Sequence, residues 1–355
     1  MKERVTIQDI ADALGISRNT VSKAINNSDG IAAATRERIL DMAVEMGYKQ
    51  FSYVQSLAES VRDAERDQDP APGSAGEIAL ISGFAFTGSH YATTMVDRMQ
   101  VELSQLGYRL AVYYVSPQEI RELQLPYPLP NEKTKALICI EIFDRAYSRM
   151  LCELKLPVLF VDGPAMPDGR DLAADLLLMD NRFELRRLII AMLREGKKQF
   201  GFIGNPYHCQ SFFERYMALR SSLMLENVPF DERFLIDKNH PIEVYHGLSQ
   251  LEKLPDVFIC ANDYIAIDAI TILGKLGKSV PQDVMICGFD DSEESRSIQP
   301  TLTTVHIHTQ SMAYSAAQLL VTRLREPSLD FRTLYTQTDL MLRESAHLKD
   351  GGAIL

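Results

Sequence analysis

The sequence predicts a small three-helix domain at the N-terminus, joined by a polar linker to a much larger α/β domain built on doubly wound parallel sheets. Three observations carry this expectation. At 355 residues the chain exceeds what one ordinary core organises. Residues 6–48 carry apolar positions at helical spacing, broken by glycine. Beyond residue 76, nearly continuous apolar runs alternate with amphipathic stretches, the pattern of parallel strands covered on both faces.

The bulk composition, 46% hydrophobic and 24% charged, is that of a globular protein. The start, MKERVTIQDI, has charge but no apolar segment behind it, and no later run approaches the ~18 apolar residues of a membrane span. A cytoplasmic location without membrane contact is therefore expected. Cys139, Cys152, Cys209, Cys260 and Cys287 are scattered, with no paired spacing, and read as thiols in a reducing compartment. The net charge of -11 argues against a nucleic-acid binder, because phosphate neutralisation needs Lys and Arg. Even the first sixty residues are roughly balanced, so a DNA-binding reading rests on where the charges sit.

Thr6 with Asp9 has the form of a capping box, and Ile7, Ile10, Ala11 and Leu14 make the apolar stripe of a first helix. Gly15 ends it, since glycine takes the left-handed conformation that a tight turn between helices needs. Ser17 is placed to cap a second helix whose Val21, Ala24 and Ile25 face inward. A third runs from about Ala34 to Met46, with Ile39, Leu40, Ala43 and Met46 apolar, and stops at Gly47. The small-residue, glycine and β-branched spacing of Ala11, Gly15 and Val21 suits a helix-turn-helix, although any αα-hairpin satisfies those three positions.

Residues 58–76, AESVRDAERDQDPAPGSAG, turn polar and then rich in proline and glycine, the composition of a solvated linker. Then come EIALISGF, YRLAVYYV, ALICIEIF, PVLFVDG, QFGFIGN, DVFICAND and DVMICGFD, each a strand candidate. Ligands of such sheets bind beyond the carboxyl ends of strands, which points to the loops after Gly83, Gly204, Asn262 and Asp290.

The full strings at residues 6–27 and 35–48, TIQDIADALGISRNTVSKAINN and TRERILDMAVEMGY, closely resemble the DNA-binding domain of the lactose-repressor (LacI/GalR) family. The resemblance implies that the second helix enters the major groove of a pseudopalindromic operator. Arg18 and Asn19 then take the base-reading positions, and Lys23 stands where the family more often has arginine. Arginine forks onto guanine, asparagine onto adenine, and lysine onto guanine less directionally. Thr6, Ser17, Thr20, Ser22 and Asn26 are candidate phosphate contacts or helix caps. Residues 51–58 match the family's hinge helix, whose leucine, here Leu57, wedges into the minor groove. The chain departs from the family at Lys49, Gln50 and Phe51, where Pro-Asn usually follows the tyrosine. It departs again at Ala32, where a usual serine cap worth about 1 kcal/mol is lost.

The resemblance continues through PVLFVD at 157–162, DN at 180–181, FIGN at 202–205, ANDYIA at 261–266, VPQDV at 280–284, GFDD at 288–291, PTLTTV at 300–305 and RES at 343–345, all in family order. It implies a periplasmic-binding-protein-like type I sensor domain of two doubly wound subdomains. By the same resemblance Arg215, Asn262 and Asp290 reach a small-molecule effector, a sugar by default, with a purine or nucleoside as the alternative. Charged and amide groups suit vicinal hydroxyls, and Phe84, Phe86 and Tyr91 are candidate ring-covering faces. Asp263 and Asp291 read more readily as turn-capping carboxylates, and His306 with His308 as a structural pair on one strand face. Gly163, Glu184, Ala191 and Lys197 depart from the family and leave the effector class open.

The expected organisation is thus a DNA-binding domain at 1–50, a hinge and linker at 51–76, and a sensor domain at 77–345. The expected function is a transcriptional regulator, a repressor, acting as a homodimer. A sensor domain answering to a protein corepressor is the alternative. GKLGKS at 274–279 imitates the end of a phosphate loop, but Ile272 occupies the position of the required glycine, and no catalytic constellation is visible. No enzyme activity, cofactor or metal is expected.

Overall fold

The structure is a computed structural model, and it describes residues 5–25, 31–46, 48, 75–83, 90–129, 132–166 and 172–348. The N-terminal domain consists of α1 (Ile7–Leu14), α2 (Arg18–Ile25) and α3 (Ala33–Glu45). Its capping box is complete: Asp9 N donates to Thr6 Oγ1 at 3.3 Å and Thr6 N to Asp9 Oδ2 at 2.7 Å. Gly15 terminates α1 at φ 67, donating its N–H to the Ala11 and Asp12 carbonyls. Ser17 Oγ accepts from Thr20 N at 3.1 Å and so caps α2. Ile10, Ala11, Val21, Ala24, Ile39, Leu40 and Ala43 have no exposed surface, and Tyr48 closes the same core. Each large apolar side chain buried there contributes roughly 1.5–3 kcal/mol, which offsets the ordering cost of such short helices.

The large domain has two lobes. The first carries six parallel strands in the order β11-β5-β4-β3-β1-β2. These are β1 (Gly76–Ser82), β2 (Tyr108–Tyr114), β3 (Thr134–Ile140), β4 (Val158–Val161), β5 (Asp175–Met179) and β11 (Thr333–Thr336), with α4 (His90–Gln105), α5 (Pro117–Glu122) and α6 (Arg145–Cys152) between the early strands. The second lobe carries four parallel strands in the order β7-β6-β8-β9: β6 (Phe200–Ile203), β7 (Leu235–Ile236), β8 (Val257–Cys260) and β9 (Met285–Cys287). Its helices are α7 (Phe183–Arg194), α8 (Gln210–Leu225), α9 (Pro241–Ser249), α10 (Asp263–Lys275) and α11 (Glu293–Ser297). At Gly204 (φ 135) an added Cβ would sit 2.4 Å from that of Ala261, so only glycine allows the ends of β6 and β8 to approach.

The chain passes between the lobes three times. After β5 it enters α7, whose Leu185, Leu188, Ile189 and Met192 join the second core. It returns through β10 (Thr304–Ile307) to α12 (Thr309–Arg325), whose Met312, Ala313, Ala316, Ala317 and Leu320 pack in the first core. It goes back through β12 (Thr338–Met341), antiparallel to β10, so that Ala346 and Leu348 end in the second. All seven strands anticipated from the sequence are present. β5, β7, β10, β11 and β12 were not anticipated: β7 is two residues long, β10, β11 and β12 mix polar with apolar residues, and their pairing is set by the crossings. His306 and His308 stand side by side as expected, their rings 4.9 Å apart, but β10 ends at Ile307 and His308 is the N-cap of α12.

Candidate nucleic-acid interface and effector cleft

In the N-terminal domain, α2 buries Val21, Ala24 and Ile25 and turns Arg18, Asn19 and Lys23 to solvent. The helix opens directly on Arg18, so the guanidinium and the Asn19 amide project from the first turn beside the Gly15–Ser17 connection. Both donate hydrogen bonds of the kind that base edges in a major groove accept. Ser17 and Thr20 are joined through their hydroxyls at 2.8 Å, and Ser17 also serves as the cap.

In the large domain, the first turns of α8 are clasped between the lobes. Asp162, at φ 55 beyond β4, accepts from Gly163 N at 2.8 Å and from Ser211 N at 3.2 Å, while Gln210 N donates to Gly163 O at 2.8 Å. A carboxylate thereby meets the N-terminus of a 16-residue helix, where the aligned peptide dipoles favour negative charge. One turn on, Glu214 accepts from Asn181 Nδ2 at 3.0 Å and from Tyr335 Oη at 2.8 Å, both in the first lobe. Arg215 Nε donates to Asn181 Oδ1 at 2.9 Å, and its Nη1 donates to Ala261 O at 2.6 Å. Its guanidinium lies 3.6 Å from the centre of the Phe289 ring and 3.5 Å from Asp290 Oδ1.

Asp290 follows β9. Burial pushes its carboxyl up to about 8; Arg215 opposes that shift, and Asp263, Asp162 and Glu141 add to it. Glu141, at φ 56 beyond β3, is raised by burial and by Asp162. Tyr264, at the start of α10, sits in the field of the same carboxylates, and burial raises its phenol. Aromatic rings line the seam: Phe143 of the first lobe meets His208 of the second at 5.0 Å, and His208 meets Phe212 at 5.2 Å. Burial lowers the His208 imidazole.

Residues 6–50 match the family described as bacterial regulatory proteins, lacI family, and residues 190–346 match the periplasmic binding protein-like domain. The HTH-type transcriptional regulator CelR of Thermobifida fusca is 27% identical over 97% of this chain and 99% of its own length. The chain carries a LacI-family DNA-binding domain followed by a periplasmic binding protein-like domain. Another relative, the HTH-type transcriptional repressor PurR of Actinobacillus pleuropneumoniae serotype 3, is 26% identical over 96% of this chain and 98% of its own length. Among solved structures, a CelR complex with cellobiose superposes with a TM-score of 0.67 at 23% identity, covering 97% of this chain and 100% of that one. These curated relatives are transcriptional regulators.

In the large domain the structure brings together Arg215 and Asp290, and sets Asn262 nearby as the N-cap of α10, its Oδ1 accepting from Ile265 N at 3.0 Å. The capping leaves the Asn262 amide nitrogen as its remaining donor. Asp263 accepts from Ser292 N at 2.8 Å and Thr304 Oγ1 at 2.6 Å, and Asp291 gathers Arg296, Arg343 and His306. Burial alone would raise Asp291, but the hydrogen bonds of His306 and Arg296 outweigh it and hold the carboxyl below the usual range. His308 pairs separately with Asp339 at 3.1 Å. Asn26, Leu57, Phe84 and Phe86 lie outside the described residues, as does the side chain of Tyr91. Glu141, Asp162, Asn181, Glu214 and the Phe143–His208–Phe212 seam were missed as site residues. The carboxyl-end rule extends to β3 and β4 and would have found the first two.

Proposed function

We propose that this chain is a DNA-binding transcriptional repressor whose operator affinity is set by a carbohydrate held between the two lobes. The observation that carries the reading is the union, in one chain, of a capped helix-turn-helix presenting Arg18 and Asn19 and a two-lobed cleft whose polar groups converge from both lobes. Arg18, Asn19 and Lys23 read base edges; Thr6, Thr20, Ser22 and Asn26 touch phosphates; Ser17 caps the reading helix; and Leu57 wedges the minor groove. The working division is 1–50 for DNA, 51–76 for hinge and linker, and 77–345 for sensing. The cleft residues are Arg215, Asn262 and Asp290, with Phe84, Phe86 and Tyr91 as ring faces. The cellobiose in the CelR complex supports the carbohydrate class. The molecule acts in the cytoplasm as a homodimer on a pseudopalindromic site, without enzymatic chemistry.

A ligand that binds one arrangement of the lobes better than the other shifts their balance and so the DNA affinity. The test is a thermal-shift screen of the full-length protein against mono- and disaccharides, sugar phosphates, nucleosides and purines. A saccharide that raises the melting temperature, with the shift abolished by Asp290→Ala, supports the reading. A purine or nucleoside doing so in place of every saccharide overturns the carbohydrate class.

A further inference from the structure

Arg215 reaches the cleft with its plane already fixed. Nε donates to Asn181 Oδ1 at 2.9 Å and Nη1 to Ala261 O at 2.6 Å, and the Phe289 ring centre lies 3.6 Å away. Asn181 has no exposed surface, so its amide is oriented by the groups around it. Glu214, the residue before Arg215 on α8, decides between the two orientations. Its carboxylate offers only acceptors and takes a bond from Asn181 Nδ2 at 3.0 Å, while Ser211 Oγ lies 3.4 Å from the same nitrogen. Asn181 Oδ1 is thereby turned towards Arg215, which offers only donors. The reversed amide would set an oxygen against Glu214 and an NH2 against the guanidinium, two buried mismatches. Glu214 is itself held, since Gln210 Nε2 donates to its Oε1 at 3.1 Å and Tyr335 Oη donates to the same oxygen at 2.8 Å. Burial and the bond to Glu214 raise the Tyr335 phenol, so it stays a donor. Asn181 and Tyr335 are brought together by the pairing of β5 with β11, in which Leu178 lies opposite Tyr335 and Asp180 N donates to Thr336 O at 2.7 Å.

We propose that Glu214 is a positioning residue for the effector arginine, and that Tyr335 makes this positioning depend on how the two lobes meet. This rests on the reading of the cleft as an effector site and deepens it by naming what aims Arg215. Glu214 and Arg215 belong to the second lobe, Asn181 and Tyr335 to the first. The bonds from Tyr335 to Glu214, from Asn181 to Glu214 and from Arg215 to Asn181 therefore all cross the seam. A shift of one lobe along the seam breaks this relay. The bond of Arg215 to Ala261 O and its approach to Asp290 at 3.5 Å lie within the second lobe and survive the shift. Held at Nη1 alone the guanidinium can swing about that bond, and held at Nε as well it has one orientation. A ligand that bonds the aimed guanidinium thus selects the lobe arrangement in which the relay is intact. Effector affinity and lobe arrangement are linked through a carboxylate that acts on Arg215 by way of Asn181.

The test is hydrogen exchange at the Arg215 Nε–H, followed by NMR on the full-length protein with isotopically labelled arginine, the signal being assigned by its loss in Arg215→Lys. The Nε–H of Arg323, bonded to the buried Asp175 at 2.9 Å, is the internal reference, assigned in the same way with Arg323→Lys. Glu214→Met keeps the length of the side chain and removes the acceptor that orients Asn181. It should speed exchange at Arg215 about tenfold or more, as for loss of one hydrogen bond to a charged group, and leave Arg323 at its wild-type rate. Tyr335→Phe removes one hydroxyl from the other lobe and should speed exchange at Arg215 several-fold, the bond from Gln210 to Glu214 remaining. Unchanged Arg215 exchange in Glu214→Met overturns the positioning role, and unchanged exchange in Tyr335→Phe overturns its dependence on the lobes. Equal acceleration at Arg215 and Arg323 also overturns the proposal, since the substitution then loosens the whole domain. Exchange needs no ligand, so a failure of the sensor reading shows separately, as a cleft that binds no member of the thermal-shift panel.

Discussion

The Asp290 carboxyl should make the fold progressively less stable as pH rises, and Asp290→Asn should remove that dependence. In the native state burial holds its titration up at about 8, against about 3.9 in an unfolded chain. Between those values the native state keeps a proton that the unfolded state has released, so stability falls as pH rises from about 4 to about 8 and is lowest above it. The full gap corresponds to about 5.6 kcal/mol as an upper bound. The side chain keeps 22% of its surface exposed and Arg215 lies 3.5 Å away, so solvent and lobe opening relieve part of the penalty. We expect on the order of 2–4 kcal/mol, or roughly 4–8 °C in melting temperature for a chain of this size. Thermal melts of the wild type and Asp290→Asn at constant ionic strength should coincide near pH 4.5 and separate steadily up to pH 8.5, the variant melting higher. A separation that stays flat across that range would refute the assignment of a buried, protonated carboxyl.

Three further outcomes test other parts of the fold. Arg323→Met should lower the urea midpoint by an amount equivalent to about 3–5 kcal/mol, because Asp175 (1% exposed) loses the two hydrogen bonds at 2.9 and 3.0 Å that join α12 to β5. Thr6→Ala breaks the capping box and should cost about 1 kcal/mol, read as faster hydrogen exchange in α1 with little change in the large domain. Gly201→Ala places a Cβ 2.3 Å from Phe258 Cε1 and 2.8 Å from Phe234 O, and should destabilise the second lobe by about 1–3 kcal/mol in chemical denaturation.

The N-terminal domain was legible nearly residue by residue, because its determinants are local: a cap at Thr6, a left-handed glycine at position 15 and apolar positions at helical spacing. The seven apolar strand runs were legible for the same reason. β7 was not, being two residues long, nor was β10, where Thr304 and His306 interleave with the apolar residues. The cleft was half legible. Arg215 and Asp290 came from family order, but the same order gave no role to Asp162, whose bonds from Gly163 N and Ser211 N are set by where β4 meets the start of α8. Glu214, Asn181 and Tyr335 come together across 33 and 121 positions of sequence separation, which no local pattern encodes. The family order also cast Asn262 as a ligand, whereas its position as the last residue before α10 makes it first a cap. The acidic total of the chain misled in the opposite direction, since residues 6–50 match the bacterial regulatory proteins of the lacI family in spite of it.

Operator reading by α2 is checked by selecting bound duplexes from a randomised library with the full-length protein and with Arg18→Ala. The wild type should select an inverted-repeat sequence, and the variant should show a relaxed preference at one defined base pair in each half, with a loss of about 1–3 kcal/mol. An identical preference for both proteins, or no enriched sequence for the wild type, would contradict it.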